Sequence, residues 1–176
     1  MDLFETLESR RSIRKYTGSP VSDEQLRQVL EAGRLAPSWK NLQCWSIVAV
    51  SDPALRKALG EAVSFNPDRT AYERAPYVLA LCADPEKSGR MNQMDYYLVD
   101  SGIVMEHMVL AAHAMGLGTC WVGWFPEAPV KELLKVPSQL HVVALTPLGV
   151  PDQAPAPRPR KRLEDIAWRD SFGKPF

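Results

Sequence analysis

Arg10-Arg11-Ser12-Ile13-Arg14 sets three guanidinium groups around a hydroxyl within one short stretch. Guanidinium forks grip phosphate oxygens bidentately and stay charged, so the cluster suits a phosphomonoester with about two negative charges. A solvated basic end to a helix is the competing reading, because cations are favoured at a helix C-terminus. A second stretch, Ala36-Pro37-Ser38-Trp39-Lys40-Asn41-Leu42-Gln43-Cys44-Trp45, offers Ser38, Asn41 and Gln43 as neutral hydrogen-bonding groups beside flat indoles. That mixture suits an aromatic heterocycle with a polar edge, or else a surface loop whose side chains satisfy its own turns. A third, Gly116-Leu117-Gly118-Thr119-Cys120-Trp121-Val122-Gly123, lets a ligand approach the backbone and meet its amides. By itself it also reads as a capped helix turning into a strand.

These residues need elements to hold them. Asp2 to Ser9 reads as a short helix with Leu3, Phe4 and Leu7 on one face. If it continues, Arg10 and Arg14 share a face four residues apart. Ser22 with Gln25 three residues on forms the start signal of a second helix, with Val21 placed to staple against Leu26. Leu26, Val29, Leu30 and Leu35 supply its apolar stripe. Asp52-Pro53 starts another helix, since proline at the first position forfeits no bonded amide. Strands are expected at Ser46 to Val50, Tyr77 to Cys82, Thr119 to Val122 and His141 to Leu148, with a short helix around Val130 to Leu134. The longest helix is expected from about Asn92 to Met115, apolar on most faces and so central to the core, with Gly116 as its cap. Helices and strands mix without regular alternation, which points to an α+β fold.

The 176-residue chain fits a single domain, 1–176. From Pro147 onward it is rich in proline and carries Arg158, Arg160, Lys161 and Arg162, so 147–176 is expected to run as an extended tail. The 21 Lys and Arg balance 21 Asp and Glu, which argues against nucleic acid or an anionic membrane as partner. No apolar run is long enough to span a bilayer, and Met1-Asp2-Leu3-Phe4-Glu5 lacks the basic start of a signal peptide. Cys44, Cys82 and Cys120 are odd in number, lie far apart and lack metal-ligand spacing. They read as free thiols of a cytoplasmic protein, with no metal site.

Taken in order, Arg-Arg-Ser-Ile-Arg, Ala-Pro-Ser-x-x-Asn-x-Gln-x-Trp, Gly-Leu-Gly-Thr-Cys-Trp-x-Gly and a late Arg-Pro-Arg-Lys resemble the nitroreductase family over essentially the whole chain. The resemblance implies a central mixed or antiparallel sheet flanked by helices, in an intertwined homodimer whose tails wrap the partner subunit. It also implies FMN at the dimer interface as cofactor and NADH or NADPH as electron donor. Two electrons would pass by ping-pong turnover through flavin N5 to a small oxidant such as a nitroaromatic or a quinone. By the same resemblance Arg10, Ser12 and Arg14 hold the phosphate and ribityl chain, Arg11 contributes backbone, and Arg158 and Arg160 close on the same phosphate. Pro37, Ser38 and Asn41 come from the partner subunit, and Cys120, Trp121, Val122 and Gly123 run along the isoalloxazine, their amides donating to it. No side chain is assigned as catalytic; Trp121 is a candidate wall of the substrate pocket, with Trp39 and Tyr96 behind it. Cys44 stands where the family more often has proline, and Glu106-His107 where it has Gln-Asn, both read as packing changes. A flavin-binding carrier or sensor without efficient nicotinamide turnover is the alternative on the same scaffold.

Overall fold

Seven consecutive apolar or aromatic residues, Tyr77-Val78-Leu79-Ala80-Leu81-Cys82-Ala83, form a strand that is buried on both sides. In the computed structural model, which describes residues 1–63 and 69–176, this strand (β2, Tyr77–Ala83) lies inside a four-stranded sheet. Its neighbours are β1 (Trp45–Val50) and β6 (His141–Gly149), and β5 (Gly118–Thr119) lies beyond β6, every pairing antiparallel. Side chains alternate across a strand. Leu79 and Leu81 therefore join one apolar cluster, with Val29, Val104, Met105 and Met108, while Val78, Ala80 and Cys82 join another, with Leu59, Val63, Tyr72 and Val130. Burial of each such aliphatic side chain contributes about 1.5–3 kcal/mol. The first cluster is roofed by α2 (Asp23–Arg34) and α5 (Tyr96–Ala114), the second by α3 (Pro53–Val63), α4 (Arg69–Arg74) and α6 (Glu127–Leu134). The result is an antiparallel sheet between helical layers, as the α+β reading expects.

Local signals set several boundaries as expected. Ser22 and Gln25 form a reciprocal capping box at α2, and Asp52 Oδ1 accepts the Leu55 amide at 2.7 Å at the start of α3. Gly116, at φ +77°, ends the central helix, with the Leu117 amide returning to the Ala112 carbonyl at 2.9 Å. Other boundaries differ. The central helix begins at Tyr96 rather than near Asn92, because β3 (Arg90–Met91) and β4 (Met94–Asp95) form a small hairpin around Asn92 and Gln93, both at positive φ. The strand expected at Thr119 to Val122 is only Gly118–Thr119, followed by an isolated bridge from Val122 to Leu145. The helix α4 has no counterpart in the sequence reading.

Pro147, expected to open the tail, lies inside β6 opposite Val78. A proline there is tolerated because β5 covers β6 only at Leu148 and Gly149, so no β5 carbonyl waits for the missing amide. The tail proper starts after Gly149. Its first residues pair antiparallel with the segment after the arginine cluster: Thr17 donates to the Val150 carbonyl at 3.1 Å and Asp152 to that of Lys15 at 2.9 Å. Beyond residue 160 the tail is mostly exposed, with a helical turn at Leu163–Asp165 and a Trp168–Pro175 bridge.

Two apolar faces have no cover among the described residues. Leu3, Phe4 and Leu7 of α1 (Leu3–Ser9) are largely exposed, and so are Leu98 and Val99 of α5. The central helix is thus in the core along one side only.

Candidate functional site

The arginine cluster is not helical. α1 ends at Ser9, whose hydroxyl donates back to the Glu5 carbonyl at 2.6 Å, and Arg10 turns extended at φ −56°, ψ 134°. From there the chain lies parallel to β5 as an added edge: Ser12 bridges Thr119, and the Ile13 amide donates to the Thr119 carbonyl at 2.7 Å. The expected i, i+4 helical face of Arg10 and Arg14 is therefore replaced by a period of two. Arg10, Ser12 and Arg14 line a cleft of about 120 Å³ together with Pro155, Ala156, Arg158 and Arg160. Ile13 points the other way and is buried.

Two features hold this edge in place. A Cβ on Gly118 would sit 2.8 Å from Ile13 Cβ, so only glycine lets the arginine strand approach β5 this closely. Tyr16, 3 % exposed, places its hydroxyl 2.8 Å from the Ile13 carbonyl and 3.2 Å from that of Pro147. Burial keeps this phenol protonated well above its ordinary range, so it remains a donor. Neither role was read from the sequence. A buried tyrosine two residues past a basic cluster was the available signal.

The cleft is strongly positive. Arg10 has a carboxylate neighbour, Glu106, at 3.8 Å, and Arg14 Nη1 leans on the Ser12 carbonyl at 3.4 Å. Arg11 borders the cleft, but its guanidinium folds back to cap α1, donating to the carbonyls of Glu8 and Arg10 at 2.7 Å each. His113 Nε2 lies 2.7 Å from the Ser9 hydroxyl. Burial, then Arg10 and Arg11, push its pKa down, which favours the neutral ring.

Cys120 to Gly123 continues from the same edge. The Cys120 amide donates to Thr146 Oγ1 at 3.1 Å, and the Val122 amide to the Leu145 carbonyl at 2.8 Å. Two of the four amides expected to serve a ligand are thus committed to the fold. Those of Trp121 and Gly123 meet no acceptor among the described residues. Trp121 is 41 % exposed; Trp124, unremarked in the sequence reading, is 84 % exposed and lines a shallow hollow with Gly123, Phe125 and Pro126.

Pro37, Ser38 and Asn41 do not reach this cleft in their own chain. Their loop is tied to the start of α5, where the Trp39 amide donates to Asp100 at 2.9 Å. The cleft lies by the other end of that helix, near His113. From 100 to 113 a helix rises roughly 20 Å. Cys44 is buried and His107 Nδ1 lies 3.3 Å from the Ala32 carbonyl, so both read as packing residues. All three cysteines are free and buried, no group that could hold a metal ion occurs among the described residues, and no described helix is long and apolar enough to cross a membrane.

The chain matches the model of the nitroreductase family over residues 7–70 and 64–150. It is 37 % identical over 180 residues to an NADPH-flavin oxidoreductase of Vibrio harveyi, covering 96 % of this chain and 74 % of that protein. Among solved structures, a nitroreductase family protein from Clostridium novyi NT superposes with a TM-score of 0.84 at 34 % identity, covering 100 % of this chain and 98 % of the other. The NADPH:FMN oxidoreductase of Vibrio harveyi complexed with NAD+ superposes with a TM-score of 0.86 at 32 % identity, covering 97 % and 78 %.

Proposed function

This chain belongs to the nitroreductase family, and on that premise we propose that it is a homodimeric FMN enzyme that oxidises NAD(P)H and reduces a small acceptor. The observation that carries the reading is the convergence of Arg10, Ser12, Arg14, Arg158 and Arg160 on one cleft beside the Cys120–Gly123 segment. Charge and donor set fit a phosphomonoester at the end of a flexible chain. The amides of Trp121 and Gly123 fit the polar edge of a heterocycle lying alongside.

Bound FMN would supply the two-electron redox chemistry that links NAD(P)H to a small oxidant using the same place in turn. The chain's own groups bind and orient. The arginines anchor the phosphate, Ser12 adds a hydroxyl donor, and the two open amides fix the ring edge. Trp121 and Trp124 flank the approach and leave it open to solvent. No side chain is needed as proton donor, since solvent reaches the exposed side. A nitroaromatic or a quinone fits such a site.

Pro37, Ser38 and Asn41 serve the partner's site, because their loop and the cleft sit at opposite ends of α5. Two chains paired along the exposed Leu98–Val99 side of that helix, in opposite directions, would bring each loop to the other's cleft. The aromatic end of the tail then has the partner subunit to cover it. Three free thiols suit a reducing compartment, and we place the protein in the cytoplasm.

An absorption spectrum of purified protein, reconstituted with FMN and desalted, tests this directly. Retained flavin bands that bleach on anaerobic addition of NADH or NADPH are expected. Bands that persist unbleached would favour a carrier, and a folded protein without flavin would overturn the proposal.

A further inference from the structure

The central helix carries one buried carboxylate, Asp100, 2 % exposed, that no step above employs. Three groups donate to it: the Trp39 amide to Oδ1 at 2.9 Å, and the Ser88 hydroxyl and Cys44 thiol to Oδ2 at 3.4 and 3.7 Å. Burial, and after it the carboxylate itself, push the Cys44 thiol up, which keeps it a neutral donor. A buried carboxylate is tolerated only when its oxygens are met in this way.

The loop it holds is unusual. Lys40, Asn41 and Gln43 have φ of 49°, 56° and 50°, a region where non-glycine residues persist only if their surroundings over-determine them. Trp39 is wedged against Tyr96, ring centres 5.9 Å apart, and against Gly89, where a Cβ would stand 2.7 Å from the indole. Within the loop, Ser38 Oγ accepts the Gln43 amide at 3.0 Å, and Gln43 Nε2 lies 3.2 Å from Asn41 Oδ1. The Ser38 hydroxyl proton and the Asn41 side-chain amide hydrogens meet no acceptor among the described residues.

We propose that Asp100 is a positioning residue that locks the Ser38–Gln43 loop in the conformation that completes the FMN site of the partner subunit. The inference rests on the dimeric FMN reading. It adds that the carboxylate acts at a distance, through Trp39, on the site of the other chain. Its loss therefore harms binding in trans and leaves the cleft of its own chain intact.

Mixed dimers test it, assembled from two differently tagged chains and assayed for retained FMN. Asp100→Ala and Arg14→Ala homodimers should each lose FMN affinity about tenfold or more. A mixed dimer of the two single variants combines one intact cleft with one intact loop. It should bind about half the wild-type flavin at near wild-type affinity. Pairing wild type with the doubly substituted chain (Asp100→Ala with Arg14→Ala) spoils both sites and should bind FMN no better than the homodimers of the variants. Asp100→Asn, which keeps an acceptor for the Trp39 amide, should recover much of the loss. If Asp100→Ala does not fold, Gly89→Ala presses on Trp39 from the other side and should give the same pattern. A mixed dimer of single variants that binds no more flavin than its parents, while wild type binds it fully, overturns the role of Asp100. Wild type without flavin would bring down the FMN reading as well.

Discussion

Arg158→Ala isolates the phosphate contact from everything else in the molecule. Arg158 lines the cleft from the exposed tail, so its loss should change stability by no more than about 0.5 kcal/mol. For the ligand the change is larger. A hydrogen bond between charged groups contributes about 1.5–3 kcal/mol net, which corresponds to roughly 10- to 150-fold in affinity. The tail is open to solvent and four other guanidiniums border the cleft, so the low end applies, about tenfold. The comparison that decides is FMN against riboflavin, which lacks the phosphate. Fluorescence titration should show FMN affinity falling while riboflavin affinity holds, and the gap between variant and wild type narrowing as salt is raised. Equal losses for both ligands would refute the phosphate assignment. So would an unchanged FMN affinity.

Three other outcomes can be read with simple assays. Gly118→Ala drives a methyl into Ile13 and should cost about 1–3 kcal/mol, lowering Tm by roughly 2–12 °C and weakening FMN retention together. Burial disfavours the charged form of Glu127, but the Val142 amide and His141 outweigh that and hold its pKa below the ordinary 4.5. A depressed carboxyl stabilises the fold above its unfolded pKa and loses that contribution as pH falls through its folded value. Thermal melts of Glu127→Gln and wild type should therefore differ most above pH ~5 and converge in more acid solution. Deleting residues 163–176 removes exposed Leu163, Ile166, Phe172 and Phe176 but spares the cleft. Sedimentation should show a weaker dimer, and a fully dimeric truncated protein would mean that this end of the tail covers nothing in the partner.

What was legible in the sequence was what short-range chemistry decides. Ser22 with Gln25, Asp52 before Pro53, and Gly116 after a long apolar run each fix a boundary through bonds to near neighbours, and each stands where expected. The composition of the cleft was legible through the resemblance to the nitroreductase family and not from the arginines alone, which also read as a solvated helix end. Its geometry was not. Arg10 to Arg14 pattern well enough as the continuation of a helix, yet a seven-residue helix is marginal by itself, and pairing with Thr119 wins. That contact spans more than a hundred residues and leaves no local trace except Gly118, whose missing side chain makes it possible. Asp100 left a signal that went unread: an aspartate set among the apolar residues of the first turns of the central helix must be met by donors if it is buried. The hairpin turn at Asn92 and Gln93 was foreshadowed only by the asparagine.

The cleft is walled by residues 10–14 on one side and 155–160 on the other, joined through the antiparallel pairing of Lys15–Thr17 with Val150–Asp152. Contacts so distant along the chain carry a large loop-closure cost and tend to be late in folding. A growing polypeptide could complete its core sheet through β6 while the anion seat still lacked a wall. Cofactor loading would then be a late step of maturation, confined to chains synthesised past Arg160. Because a bound ligand stabilises only the state that holds it, the cofactor would reinforce these last-formed contacts. Chains starved of it should loosen first at the junction of their two ends, with the central layers still packed.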